Sequence, residues 1–282
     1  MSAPTRTDNA SYNRGVTWEI ARPSQPPALR GVDMAGFRID SAVPEHLRAV
    51  PHPAVTLVVE FGDRRFDVRD ATGRNHSGSL VLGLAGTAPA VRVEAIECVQ
   101  VRLSPVAVPA ILGVPSAELS GNIVALDDLW GRDATRLGER LYEMRGWHER
   151  FALIEATLAA RCRDDRRADR EVVWAWRQIV VGRGRHRVEH LAAAVGWSRQ
   201  RLWSRFSAQI GVTPKRAAML VRFDHAMHRL IRGQLPAQVA ADSGYADQSH
   251  LHRDVRSFTG ATLKSAVGEP WLAVDDRAWP AG

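Results

Sequence analysis

Leu191-Ala192-Ala193-Ala194-Val195-Gly196-Trp197 recurs 48 residues later as Val239-Ala240-Ala241-Asp242-Ser243-Gly244-Tyr245. Beyond it, Leu202, Phe206, Gly211, Thr213 and Lys215 match Leu251, Val255, Gly260, Thr262 and Lys264 at an offset of 49, so one residue has been added at the turn. In each copy a short apolar-periodic helix runs into a glycine and a brief turn. A second helix follows, crowded with Arg, Gln, Ser and His. This is a helix-turn-helix written twice, at about 188–210 and 237–259.

The second helix of each copy carries the chemistry. Ser198 is an N-cap, because its hydroxyl accepts a bond from a free N–H of the first turn, and the spacing predicts a helix over 198–209. Leu202 and Phe206, four apart, mark its inner face, which turns Gln200, Trp203 and Ser204 outward as candidate readers of base edges. Arg199, Arg201 and Arg205 lie towards the flanks and suit phosphates. Trp203 has two readings, an indole packed on a thymine methyl or one folded back into the core. In the second copy Asp247 is the cap, Leu251, Val255 and Phe258 face inward, and Gln248, Ser249, His252 and Arg253 are the candidate base readers. Arg253 matches Ser204 at the offset of 49 and suits guanine, Arg256 suits phosphate, and His250 is a structural hydrogen-bonder. Between the copies, Thr213 and Pro214 start a helix to Ile231 whose Leu220, Phe223, Met227 and Leu230 form a buried stripe tying the units together.

Charge agrees with a polyanion partner. Residues 161–282 hold 21 Lys and Arg against 12 Asp and Glu, whereas residues 1–160 hold 17 against 19, so the net +7 belongs to the C-terminal part. Arg183, Arg185 and Arg187, around Gly182 and Gly184, form a loop able to reach phosphate.

A chain of 282 residues with 45% hydrophobic residues can bury two cores, and the mixed-charge run from Cys162 to Arg170 places a boundary near 165. The expected domains are 1–165, β-rich with helices at its C-terminal end, and 166–282, all-α. The first fifty residues, rich in proline, suggest an irregular arm with a strand near Gly36–Ile39. Val55–Phe61, Arg65–Val68, Ser79–Leu84, Val91–Val93 and Ala95–Leu103 alternate as strands of a cupin-like barrel or antiparallel sheet. Helices are expected at 133–144 and 148–161, with Trp130 and Trp147 as wedges against the sheet. The fold class is therefore two-domain α+β.

Cys98 and Cys162 make neither a disulfide framework nor a metal cluster. The N-terminus lacks the apolar core of a signal peptide and no run of about 20 apolar residues exists, which points to the cytoplasm and away from a membrane.

The segment 170–267 resembles the AraC/XylS family of bacterial transcription regulators. The resemblance rests on Leu191-Ala192 through Gly196-Trp197-Ser198, Leu202 with Phe206, Gly211-Val212-Thr213-Pro214, and Ala240-Ala241 through Gly244-Tyr245-Ala246-Asp247-Gln248-Ser249-His250-Leu251. It implies a sequence-specific regulator binding double-stranded promoter DNA through both recognition helices. The second unit departs from the pattern at Thr262-Leu263, where a proline is usual after the threonine, and at Val255, where phenylalanine is usual. In the first half, Pro51–Val55, Leu112-Gly113-Val114-Pro115 and Leu126–Gly131 look like the sensor halves of some actinobacterial members. That likeness implies a small-molecule effector or a homodimer partner acting there, with RNA polymerase as a further partner.

The competing class is a cupin-type metal enzyme with a DNA-binding appendage, which needs several His and a carboxylate converging from neighbouring strands. Only His46, His52 and His76 precede residue 148, with no His-x-His pair. No phosphate-binding glycine loop or nucleophile elbow is present either, so neither catalysis nor a cofactor or metal is expected. Within the first half, ligand binding predicts an apolar pocket with a few polar groups, and dimerisation predicts an exposed apolar helix face.

Overall fold

The computed structural model describes residues 5–13, 16–62, 67–70, 72–84 and 89–280. Strand β1 (Arg6–Asn13), β2 (Val16–Arg22) and β3 (Val32–Arg48) make an antiparallel meander. β4 (Val55–Phe61), β5 (Asp67–Arg69), β6 (Asn75–Ser77) and β7 (Leu80–Leu82) follow, and then β8 (Ala90–Leu103). β8 is the spine of the sheet: Val32 to Ile39 of β3 pair with Leu103 to Ile96 on one side, and Val55 to Phe61 of β4 pair with Leu103 to Glu97 on the other. With β9 (Ile123–Ala125) at the far end, the order is β1-β2-β3-β8-β4-β7-β9, and β5 bridges the start of β8 to β6. β6 also meets β9, so the sheet curls round a concave face.

Both faces are covered, which explains why every residue of β4 is buried. Alternation sends Val55, Leu57, Val59 and Phe61 to the helix-covered face, and Thr56, Val58 and Glu60 to the concave one. On the first face lie α1 (Val108–Leu112), α2 (Ser116–Leu119), α3 (Leu126–Trp130), α4 (Arg132–Glu143) and α5 (Trp147–Arg161). Leu137, Leu141, Phe151, Ile154 and Leu158 supply their buried stripes, at the spacing the sequence predicted. Trp147 is the expected wedge. Its ring packs edge-on to Phe61 and stacks on Phe151, its Nε1 donates to Glu19 at 2.7 Å, and it lies so close over Gly36 that a Cβ there would meet it at 2.4 Å. Trp130 is buried beneath the Arg161 guanidinium, 4.4 Å from the ring centroid.

After a 3-10 turn at Asp164–Arg166 the rest of the described chain is helical: α6 (Arg170–Val181), α7 (Val188–Ala194), α8 (Arg199–Ile210), α9 (Pro214–Ile231), α10 (Pro236–Asp242), α11 (Gln248–Thr259), α12 (Leu263–Val267) and α13 (Pro270–Ala278). The architecture is two-domain, an antiparallel sheet with trailing helices followed by an all-α half. No helix among the described residues is long and apolar enough to cross a membrane.

The first fifty residues differ from expectation. The described ones are not an irregular arm but hold three strands: Pro23, Pro26 and Pro27 lie in the connection between β2 and β3, Pro51 and Pro53 in that between β3 and β4, and Pro44 at the register break between Asp40 and Glu45 within β3. The alternation Trp18, Ile20 and Phe37, Ile39 faces the concave core, with Arg38 between. Val91–Val93 and Ala95–Leu103 are one strand, not two, and of Arg65–Val68 the first two residues lie outside the described ones. No signal in the sequence announced α13, which packs on β1, β2, β3 and α9.

Candidate nucleic-acid interface

The two copies are repeated down to individual hydrogen bonds. α7 ends at Gly196 in the left-handed region (φ 69°), where the Trp197 amide donates to Ala192 O at 2.9 Å; α10 ends at Gly244 (φ 78°), where Tyr245 donates to Ala240 O at 3.0 Å. The Ser198 hydroxyl then accepts from the Arg201 amide at 3.1 Å, and the Asp247 carboxylate from the His250 amide at 2.7 Å. Each cap satisfies one of the first-turn donors that a helix leaves unpaired. Gly211 (φ 89°) and Gly260 (φ 68°) close α8 and α11, and Thr213 and Thr262 cap the helices that follow. The missing proline after Thr262 does not abolish α12, since Pro at the first helical position only replaces a donor that was free anyway.

Inner faces are as the spacing demanded. Leu202, Phe206, Leu251, Val255 and Phe258 are fully buried, so the opposite faces of α8 and α11 are set by geometry. Trp176 of α6 packs tilted against Phe206 at 6.4 Å, and Phe223 of α9 packs on Phe258 at 4.8 Å, so α6 and α9 hold the two recognition helices from behind. An ion pair between Arg222 of α9 and Asp254 of α11, 3.2 Å and little exposed, fixes the second unit further. Val255, smaller than the usual phenylalanine, is still wholly covered.

The polar faces are open. Gln200, Ser204, Gln248, Ser249, His252 and Arg253 are all exposed, and Trp203 resolves its two readings by standing 54% exposed rather than folding into the core. Gln248 Nε2 and His252 Nε2 lie 3.4 Å apart across one turn, and Arg253 Nε reaches back to Ser249 O at 3.4 Å, so these side chains share one surface. His250 is half-buried, edge-on to Tyr245 at 5.2 Å, with Nδ1 accepting from the Ala246 amide at 3.4 Å. It serves the turn, as the sequence implied.

The arginines assigned to phosphate fall into two sets. Arg256 is exposed, and Arg201 is exposed with its guanidinium 4.7 Å over the Trp197 ring. Arg199 instead pairs with Glu189 at 3.0 Å, and Arg205 with Asp169 at 2.7 Å. Partial burial acts to raise the Asp169 carboxyl, but hydrogen bonding with Gln209 and Arg205 outweighs it and holds the group below its ordinary range. Sequence reasoning missed these acids because Asp169 is 36 residues from Arg205 and Glu189, ten from Arg199, lies on the other side of the turn. Arg183, Arg185 and Arg187 are exposed in the loop before α7.

A second surprise is how the β-domain grips α8. Ser116 Oγ donates to Ile210 O at 3.1 Å and Ser120 Oγ to Gly211 O at 2.9 Å, so α2 caps the C-terminal carbonyls of the first recognition helix. A Cβ on Gly211 would sit 2.8 Å from Ala117 Cα and 2.6 Å from Ser120 Cβ, which makes glycine necessary there for closeness as well as for φ.

The histidines that a metal enzyme would need are used locally: His52 Nε2 lies 2.9 Å from Thr56 Oγ1, and His76 Nε2 2.9 Å from Asp70. Among the described residues no three His, Cys, Asp or Glu side chains are gathered as a metal site requires.

Residues 191–266 match the family described as a helix-turn-helix domain. A curated relative, the uncharacterized HTH-type transcriptional regulator YbfI of Bacillus subtilis (strain 168), is 34% identical over 61 residues, which are 22% of either protein. The chain thus spans about a fifth of the length of that relative. Among solved structures, ToxT from Vibrio cholerae is similar at 11% identity and a TM-score of 0.49, with 86% of this chain and 100% of that one covered. The AraC-like transcriptional activator CuxR is similar at 16% identity and a TM-score of 0.31, with 88% and 89% covered.

Proposed function

We infer that this helix-turn-helix protein is a sequence-specific DNA-binding transcription regulator of the AraC/XylS type. The observation that carries the reading is the pair of capped helices, α8 and α11, each buried on its Leu202 or Leu251 side and each presenting an open polar face. Such helices lie in successive major grooves, with side chains on the outer face reaching base edges and flanking arginines reaching phosphate. Gln200, Trp203, Ser204, Gln248, Ser249, His252 and Arg253 read bases in this account. Arg201 and Arg256 hold phosphates directly, whereas Arg199 and Arg205 do so only by leaving Glu189 and Asp169.

The β-domain (1–165) senses a small molecule and passes the signal to the DNA-binding domain (166–282) and to RNA polymerase. What supports sensing is a cavity of about 80 Å3 on the concave face, with Phe37, Ile39, Leu47, Val58 and Ile96 among its walls and His52, Thr56, Gln100 and Arg102 at its polar end. Arg102 Nε and His52 Nδ1 are buried there without a hydrogen-bond partner. Homodimerisation is the second reading; the helices of the β-domain expose Tyr142 as their large apolar side chain, whereas the exposed pairs Val173 with Val180 and Trp174 with Val181 lie on α6 of the DNA-binding half and favour a dimer through that half instead.

Comparison of Arg253→Ala with Arg201→Ala on selected and random duplexes tests the base-reading assignment. The first should cost about 1–3 kcal/mol on the preferred site and relax one base position, and the second should weaken all sequences alike. Equal losses on specific and random DNA for both would remove the assigned roles.

A further inference from the structure

At the offset of 49 that aligns the two units, α12 and α13 together match the single long helix α9. The second copy is broken at Gly268-Glu269-Pro270, with Pro270 at the first position of α13, where no N–H is available to continue the preceding helix. The break turns α13 away from the helix-turn-helix units and onto the concave side of the sheet.

There α13 makes two sets of contacts at once. Trp271 packs against Trp18 at 5.6 Å and Phe37 at 5.7 Å and forms part of the wall of the β-domain cavity, with Val274 and Ala278 buried in the same core. Asp275 ion-pairs with Arg102 of β8, whose guanidinium also lies 4.4 Å over Trp279. On its other side Asp276 accepts from His228 Nδ1 at 2.7 Å and pairs with Arg232 at 2.9 Å, both at the end of α9. Asp275 and Asp224 also lie 3.7 and 3.8 Å from His228 Nε2.

Nine residues therefore join the floor of a cavity to the helix that spaces the two recognition units. With Trp271 in place the cavity holds about 80 Å3, well under the roughly 300–1,000 Å3 of ordinary ligand pockets. An occupant of that size fits only if part of the wall moves, and Trp271 is the wall residue that α13 carries.

We propose that α13 is a latch that shuts the cavity of the β-domain and ties its closure to α9, so that whatever fills the cavity displaces Trp271 and loosens the DNA-binding half. The proposal takes from the functional reading only that the β-domain is a sensor; its test needs no DNA, so failure of DNA reading leaves the result interpretable.

Cys98 lines the cavity and supplies the probe. Burial, with Glu60 and Glu97 nearby, pushes its thiol far above the ordinary range, so it is unreactive while the cavity is shut. With Cys162→Ser in the background, Cys98 is the one thiol left, and its rate of modification by methyl methanethiosulfonate measures opening. Trp271→Ala should raise that rate about tenfold or more. Asp276→Asn, which alters only the α9 side and no cavity wall, should raise it about threefold or more, because loss of the α9 contacts frees the latch. Val255→Ala, a core truncation in α11 away from α13, should lower the melting temperature while leaving the rate at the parent value. A parent-like rate in Asp276→Asn would reduce Trp271 to an uncoupled plug and overturn the latch. So would a parent-like rate in Trp271→Ala, or an equal rise in Val255→Ala, which would mean exposure through general unfolding.

Discussion

Ser198 and Asp247 do the same task in the two copies with different chemistry, one hydroxyl and one carboxylate, each taking a first-turn amide. Replacing either by alanine should lower stability by about 1 kcal/mol, and the two losses should add in urea unfolding because the caps sit in separate units. At this scale most of the candidate interface was legible: Leu202, Phe206, Leu251 and Val255 fixed which way each helix faces, and the outward residues followed. The ion pairs of Arg205 and Arg199 were not, since nothing local in the sequence joins them to Asp169 and Glu189. His225 offers a pH test. Burial first, and then Arg183, Arg229, Arg185 and His228, lower its pKa from 6.5 to about 4. Between those values the unfolded chain binds a proton that the folded one refuses, so stability attributable to His225 is present above 6.5 and is lost as pH falls towards 4. Melting temperatures between pH 7 and 4 should fall less steeply in His225→Asn than in the parent; identical slopes would remove His225 from the acid response.

Among the elements, helices were read more truly than strands. Pro214–Ile231 has the limits that capping and periodicity set, because those signals lie within a few residues of the helix itself. The β2–β3 meander was hidden because prolines cluster in the connections on either side of β3, and β1, Arg6–Asn13, has a largely polar sequence that gives no alternation to detect. α13 was hidden because it buries residues on more than one side, Trp271 and Val274 against the sheet and Leu272 in the main core, which erases a single apolar stripe. The contact of α2 with the end of α8 gives a prediction of its own. Gly196 and Gly211 both have positive φ, but a Cβ at Gly196 would meet open space and one at Gly211 would meet α2. Alanine at Gly196 should cost about 1 kcal/mol from backbone conformation alone. At Gly211 the loss in urea unfolding should be clearly larger, with the β-domain pushed off α8; equal losses would mean that α2 gives way freely.

Over the whole molecule, two cores share one sheet. The helix-covered face continues into the all-α half through α1, α2 and α6, and the concave face is closed by the far end of the chain. That arrangement gives the β-domain two physical contacts with the all-α half, Ser116 and Ser120 on α8 and α13 on α9. Neither contact was visible in the sequence, since both join residues some 90 or more positions apart or rest on a helix with no periodic signature. The duplication itself was visible, and the central claim of two base-reading helices rests on it. Selection of bound duplexes from a random pool by the full-length protein, repeated at two salt concentrations, tests that claim most directly. Two base-reading helices would enrich a site with two fixed blocks about one helical turn apart, one for α8 and one for α11. An unenriched pool, with affinity that simply collapses as salt rises, would contradict the claim and leave a domain that holds DNA through charge alone.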